Sequence, residues 1–264
     1  MTPQVKAFGP RLKWWREQRG LSQLALAGSA ETSQRHLSFL ESGRADPSRE
    51  MVLRLAAVLD IPLRQQNALM LAAGFAPVWR ESDLSSPELA QVNGALDHML
   101  AQQEPYPAFV VDRRWNLLRS NGGAGRLVVF LLGAAPQGAV NLADALISPD
   151  ALRPFIENWD DVAVHFLRSV QADAVADGTT ETTELLRRLM SYPGVPPLSR
   201  VAPLETHTPV LSIRFRKGDT RLSVFTTIAT LGTPQDVTVQ EIRIECFFPA
   251  DPASGELFRQ WAAA

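Results

Sequence analysis

Apolar positions over residues 8–75 recur at helical spacing and are cut into short lengths by Gly, Ser and Pro. Phe8, Leu12 and Trp15 predict a helix over Phe8 to Arg19, with Gly20 as its C-terminal stop. Ser22 caps a second helix, Gln23 to Ala27, which buries Leu24 and either Leu26 or Ala27. Gly28-Ser29-Ala30-Glu31 forms a turn. Thr32 or Ser33 caps a third helix running to about Glu41, with Leu37 and Leu40 one turn apart and facing inward, and Gly43 ends it. Ser48 caps a fourth helix with a buried stripe of Met51 or Val52, Leu55, Val58 and Leu59. A fifth, Leu63 to Ala73, starts after Pro62 and stops at Gly74. Helices this short, the second and third joined by a tight turn, make a helix-turn-helix arrangement.

Beyond Ala76-Pro77 the pattern changes. The polar stretch Ser82 to Pro87 reads as a linker, and Glu88 to Gln103 as a helix with Leu89, Val92, Leu96, Met99 and Leu100 on one side. That stripe either packs within the chain or pairs with a second copy. Ala108 to Asp112 and Trp115 to Arg119 read as two strands around Arg113-Arg114, and residues 124–132 as helical or buried. Phe155, Trp159, Val162, Phe166 and Val170 mark one long helix, and Leu185, Leu186 and Leu189 another over Thr180 to Met190. The period then becomes two. Leu211, Ile213 and Phe215 form a strand, Lys217-Gly218-Asp219 a hairpin turn, and Arg221 to Thr230 its partner. Val237 to Phe247 forms a last strand, with Ile242, Ile244 and Cys246 on one face and Arg243 and Glu245 on the other. Two strands, several helices and three strands is the order of a PAS-like domain: a five-stranded antiparallel sheet with helices over one face. The expected fold is therefore a mainly α five-helix domain at residues 1–76, a linker and connecting helix at 77–104, and an α+β domain at 105–264.

Charge sharpens this division. The net charge of -2 over 264 residues conceals 10 Lys/Arg against 6 Asp/Glu in residues 1–75, and 16 against 22 in the remainder. A basic head on an acidic body suits a polyanion partner for the head alone. The longest apolar run, Leu127 to Ala135, is too short to span a bilayer, and the N-terminus lacks the layout of an export signal. The single cysteine, Cys246, excludes an internal disulfide and a cysteine-rich zinc site, which suits a reducing cytoplasm.

In a helix-turn-helix domain the third helix enters the DNA major groove. Its outward residues here are Ser33, Gln34, Arg35, His36 and Ser38. Gln pairs with adenine and Arg with guanine through two hydrogen bonds each. Gln23 and Arg44 are placed to reach the phosphate backbone. The words GLSQ-x-x-LA, S-x-x-x-L-S-x-L-E-x-GR and PS-x-x-x-x-x-RLA resemble the Cro/repressor-like, XRE-type DNA-binding family over residues 8–59. Many members carry Gly in the turn where this chain has Glu31, which must then adopt a costly backbone conformation. The segment RHLSFLESGRADPSREMVLRLAAVLDIPLRQQNALMLAAGFAP resembles the subgroup with an MmyB-like ligand-binding domain, and so do EPYPAFVVDRRWNLLRSN, VFTTIATLGTPQDVTV and EIRIECFFPAD.

That resemblance implies a sequence-specific transcription regulator that binds double-stranded DNA, with a PAS-like domain sensing a small apolar or fatty-acid-like ligand. The alternative is a ligand-free dimerisation or partner-binding module. A homodimer is expected, since such proteins read two half-sites. Candidate ligand contacts are Trp115, Asn121, Phe130, Trp159, Phe166 and Phe225, with Leu117, Ile213 and Ile244 as further wall residues. Asn121, at a strand end, is either a polar anchor or a turn residue. No catalytic or cofactor constellation is legible. His36, His98, His165 and His207 show no metal-binding spacing, the glycines at 122, 123 and 125 lack the Lys-Ser/Thr of a phosphate loop, and Asp160-Asp161 point apart on their helix.

Overall fold

The computed structural model describes residues 8–199 and 210–264. His207 lies outside the described residues. The chain divides into two compact units, residues up to 81 together with 235–237, and residues 82–234 together with 238–264.

The first unit contains α1 (Phe8–Gln18), α2 (Gln23–Ser29), α3 (Gln34–Ser42), α4 (Arg49–Val58) and α5 (Leu63–Ala72). Its boundaries follow local chemistry. The hydroxyls of Ser22, Ser33 and Ser48 accept hydrogen bonds from the backbone N–H of Ala25, His36 and Met51, which satisfies donors that the first helical turn leaves orphaned. Gly43 ends α3 in the left-handed conformation at φ 71°. Leu12, Leu26, Leu37, Leu40, Val52, Leu55 and Leu59 are buried in one core. Leu24 is not among them. It is 66% exposed, because it lies two residues from Leu26 and so projects from the opposite side of a short helix. Met51 and Val58 stay half-buried while Val52 and Ala56 take the inner positions.

Helix α1 packs closely on the end of α3. A Cβ added at Gly9 would lie 2.5 Å from the Leu40 carbonyl oxygen and 2.4 Å from that of Glu41, so only glycine permits this approach. Beside it, Arg16 and Glu41 form a buried ion pair, with Arg16 Nε donating to Glu41 Oε1 at 2.6 Å and Nη2 to Oε2 at 3.0 Å. Arg16 Nη1 also donates to the Leu21 carbonyl at 2.8 Å. The bond to Glu41 raises the guanidinium pKa above its ordinary value, outweighing the desolvation that opposes charge.

The second unit is built on a five-stranded antiparallel sheet in the order β2-β1-β5-β4-β3, from β1 (Ala108–Val111), β2 (Leu117–Ser120), β3 (Ile213–Lys217), β4 (Thr220–Ala229) and β5 (Arg243–Pro249). With α6 (Ala90–Gln102), α7 (Gly122–Leu132), α8 (Leu142–Ile147), α9 (Trp159–Asp177), α10 (Thr180–Met190), α11 (Val237–Glu241) and α12 (Pro252–Ala263), it gives the expected PAS-like α+β fold.

Three features differ from the pattern reading. Helices cover both faces of the sheet. Leu96 and Leu100 of α6 pack with Ala108, Val110, Ile242 and Ile244, so the helix expected to connect the two parts is a layer of this unit. The other face meets the larger core, which includes Leu127 and Leu131 of α7, Val162 and Leu167 of α9 and Leu185 of α10. The strand predicted from Val237 starts at Arg243, because Val237–Glu241 is helical. The strand predicted from Trp115 starts at Leu117, since Trp115 occupies the turn, its N–H bonded to the Asp112 carbonyl at 3.0 Å and its φ at 65°. A bulky residue at positive φ carries about 1–3 kcal/mol of backbone strain.

Candidate DNA-reading helix and ligand cavity

In the first unit, α3 presents Ser33, Gln34 and Arg35 in the open at its N-terminal end, with His36 and Ser38 half-buried behind them. Ser33 is the helix cap, its hydroxyl accepting from the His36 N–H at 3.1 Å, so part of its hydrogen-bonding capacity is structural. Arg35 and Arg44 share a support that sequence reasoning missed. Their guanidinium carbons lie 5.4 and 5.9 Å from the centroid of the Phe39 ring, within cation–π range. Phe39 sits four residues after Arg35 on the same helical face, and that spacing was the available signal.

Gln23 differs from its expected role. Its Nε2 donates to Glu41 Oε2 at 2.8 Å, which joins it to the buried Arg16–Glu41 pair rather than leaving the amide free for a phosphate. Glu31 sits at φ 50°, the left-handed conformation expected of a residue standing in for glycine, and remains exposed. Arg54 Nη1 lies 4.0 Å from its carboxylate.

In the second unit, the larger-core side of the sheet encloses a cavity of about 340 Å³, in the range that small-molecule sites occupy. Its walls are mainly apolar. Trp115, Phe109, Leu131, Val162, Phe166 and Ile213 all contribute. Of the sequence candidates, Trp115, Phe166 and Ile213 reach it; Asn121, Phe130, Trp159, Phe225, Leu117 and Ile244 do not.

Five of these six absences have a physical cause. Asn121 caps α7, its Oδ1 accepting from Ala108 N–H at 3.0 Å and Ala124 N–H at 2.9 Å while its Nδ2 donates to the Tyr106 carbonyl at 2.8 Å. That side chain is a structural joint with nothing left to anchor a ligand. Trp159 spends its indole N–H on the Leu146 carbonyl at 3.0 Å and lies under the Arg153 guanidinium. Phe130 packs against Trp261 of α12, with ring centroids 4.7 Å apart. Phe225 stacks on Phe248 at 5.5 Å, on the opposite sheet face from Thr226. Ile244 faces α6.

The same alternation puts Glu245 and Phe247 of β5 on the cavity side, with Thr226 and Ile228 of β4. Its place in the sequence pattern marks Glu245 only as the polar side of a strand. Because α6 covers the Ile244 side, the polar-looking face turns out to be inward. Burial pushes the Glu245 carboxyl up to about 7, against a smaller downward pull from a hydrogen bond with Thr226. His165 and Ser169, one turn apart on α9, are the other polar residues of the wall apart from Thr226. On the far side of β5, burial and the nearby Glu245 both push the Cys246 thiol up.

Comparison with known proteins agrees with both halves. The model described as MmyB-like transcription regulator ligand binding domain matches residues 92–260. The helix-turn-helix model matches residues 12–66. The chain is a DNA-binding transcription regulator with a ligand-binding domain, and it belongs to the MmyB-like family. Neither domain family is enzymatic. No curated protein matches the chain. A solved structure titled as that of an RNA-binding Light-Oxygen-Voltage Receptor is similar at 14% identity and a TM-score of 0.30, covering 98% of this chain and 62% of that one. The chain thus spans less than two thirds of that structure's length. Among the described residues no helix is long and apolar enough to cross a membrane, and no cluster of three or more His, Cys, Asp or Glu side chains is placed to hold a metal ion.

Proposed function

We propose that this regulator is a cytoplasmic homodimer that reads two DNA half-sites with α3, and that a small apolar molecule in the second unit controls the reading. Residues 1–76 are the DNA-binding part and 105–264 the sensing part, to which α6 of the intervening 77–104 adds a layer. The observation that carries the sensing half is the cavity of about 340 Å³ with its mostly apolar wall, since a well-packed domain keeps few voids larger than a water molecule. A ligand that binds one arrangement of the sensor better than another shifts the population of arrangements and so the spacing of the two reading helices. The apolar part of the expected fatty-acid-like ligand suits this wall.

Native mass spectrometry of the purified chain, before and after incubation with solvent-extracted cell lipids, tests this reading. A dimer that retains a small molecule supports it. A monomer that takes up nothing argues for a ligand-free partner-binding module instead.

The reading helix makes a separate prediction. Arg35→Ala lowers affinity for the preferred sequence by about 1–3 kcal/mol and relaxes base preference, by loss of a two-bond contact to a base. Arg44→Ala weakens binding to all sequences alike and lowers the slope of log affinity against log salt by about one. Fluorescence anisotropy with preferred and scrambled duplexes over a salt series checks both. Equal losses on both duplexes for Arg35→Ala would remove it from base reading.

A further inference from the structure

Resting on the reading of the cavity as a ligand site, we infer that Glu245 is its recognition group, and that the ligand is an apolar molecule bearing a hydrogen-bond-donating or cationic head, an amine above all, rather than a carboxylate.

The placement comes from sheet register. Thr226 pairs with Phe247 and Ile228 with Glu245, so these four side chains share one face, and all four line the cavity. Helix α9 lies across from them. Arg243 of β5 is held by Asp173 of α9 at 2.5 Å, which fixes how strand and helix sit side by side. Moving from that pair into the cavity passes Glu245 and Phe247 on the strand, and Ser169 and His165 on the helix. Glu245 of the strand and Ser169 and His165 of the helix thus belong to one wall of the cavity.

The chemistry of the wall selects the head group. Thr226 is the one group that draws the Glu245 pKa down, and no ion pair among the described residues includes Glu245. The nearest basic residue along β5, Arg243, is already matched with Asp173. Burial of an acid without a cation is costly, and its pKa near 7 reflects that cost. A protonated amine on an apolar tail offsets the cost directly, whereas an alkanoate brings a second negative charge to the same place. Glu245 is paired with Phe109 of β1 and Ile228 of β4, follows Arg243 on its own strand face, and shares the cavity wall with Thr226, Phe247, Ser169 and His165. His165 is the only other ionisable residue on the described wall.

Calorimetric titration of the full chain with decylamine, decanol and decanoate, at pH 6 and pH 8, tests the assignment. At pH 8 decylamine should bind at least about tenfold tighter than decanoate, the size of a hydrogen bond to a charged group. The amine should weaken as pH falls to 6 and Glu245 takes up a proton, and the alkanoate should tighten. Glu245→Gln should cut amine affinity about tenfold or more, remove its pH dependence and leave decanol little changed, with an unchanged circular dichroism spectrum. The wild-type pH series reads the same group without any substitution. Equal binding of all three compounds, decanoate tightest at pH 8, or a pH dependence that survives in Glu245→Gln, would each overturn the role of Glu245 while leaving the cavity a ligand site. If none of the three binds at either pH, the sensing reading itself falls, and this inference with it.

Discussion

Glu41→Ala should destabilise the DNA-binding unit by about 3–5 kcal/mol, the loss expected when one member of a buried ion pair is removed. The Arg16 and Glu41 side chains retain only 9% and 4% of their surface exposed. Three of the bonds in the cluster end on the Glu41 carboxylate, two from Arg16 and one from Gln23. Truncation leaves the buried guanidinium with the Leu21 carbonyl and, at 3.6 Å, the half-exposed carboxylate of Glu17. A domain of this size has about 5–15 kcal/mol of total stability, so the loss is a large part of it. Because Glu41 closes α3 against α1, DNA binding should fail together with folding. Circular dichroism on urea titration measures the change. Gln23→Ala removes one bond to the same carboxylate and should cost less, about 1.5–3 kcal/mol. Replacing the pair together, Arg16→Met with Glu41→Leu, should recover most of the loss, since no charge is then left buried. A loss below about 1 kcal/mol for Glu41→Ala would mean that the pair behaves as a solvated surface one.

Phe258→Ala should cost the second unit about 3–5 kcal/mol, the range for removing a buried aromatic ring. Phe258 is 1% exposed and meets the rings of Tyr106 and Trp261 edge to face, with centroids 5.8 and 5.5 Å away. It pins α12 to the sheet. The helix start adds to this attachment, since Asp251 caps it through the Ser254 N–H at 2.7 Å and the Ser254 hydroxyl accepts from the Ser223 N–H of β4 at 2.9 Å. Loss of the ring leaves a void that these polar contacts cannot close. The expected signature is a lower melting temperature for the second unit, with the Arg35-dependent DNA preference intact at low temperature. An unchanged melting temperature would place α12 outside the cooperative unit.

The helical first unit was nearly all legible in the sequence because its signals are local. Ser22, Ser33 and Ser48 each stand three residues before the N–H they cap, and Gly20, Gly43 and Gly74 take positive φ after the helices they follow. The sheet was legible as strands but not as faces. Alternation along β5 separates Glu245 from Ile244, yet nothing local says which side meets the larger core. The presence of α6 on the Ile244 side decides that, and it depends on contacts far apart in sequence. Pattern likewise favoured large aromatics as cavity wall, although Trp159, Phe130 and Phe225 are committed to packing. Helix α12 is weakly marked in the sequence because Gly255 interrupts its first turn, although Asp251 and Pro252 form a good helix start. The Gln23 amide was read toward solvent because its partner, Glu41, lies eighteen residues on.

Whether α3 reads base sequence is measured by selection of bound duplexes from a random pool by the full chain, at fixed salt. The expected result is enrichment of one short motif repeated in inverted orientation with centres about 34 Å apart, and loss of that motif with Arg35→Ala. A pool that stays random after selection, bound with one affinity whatever its sequence, would contradict it.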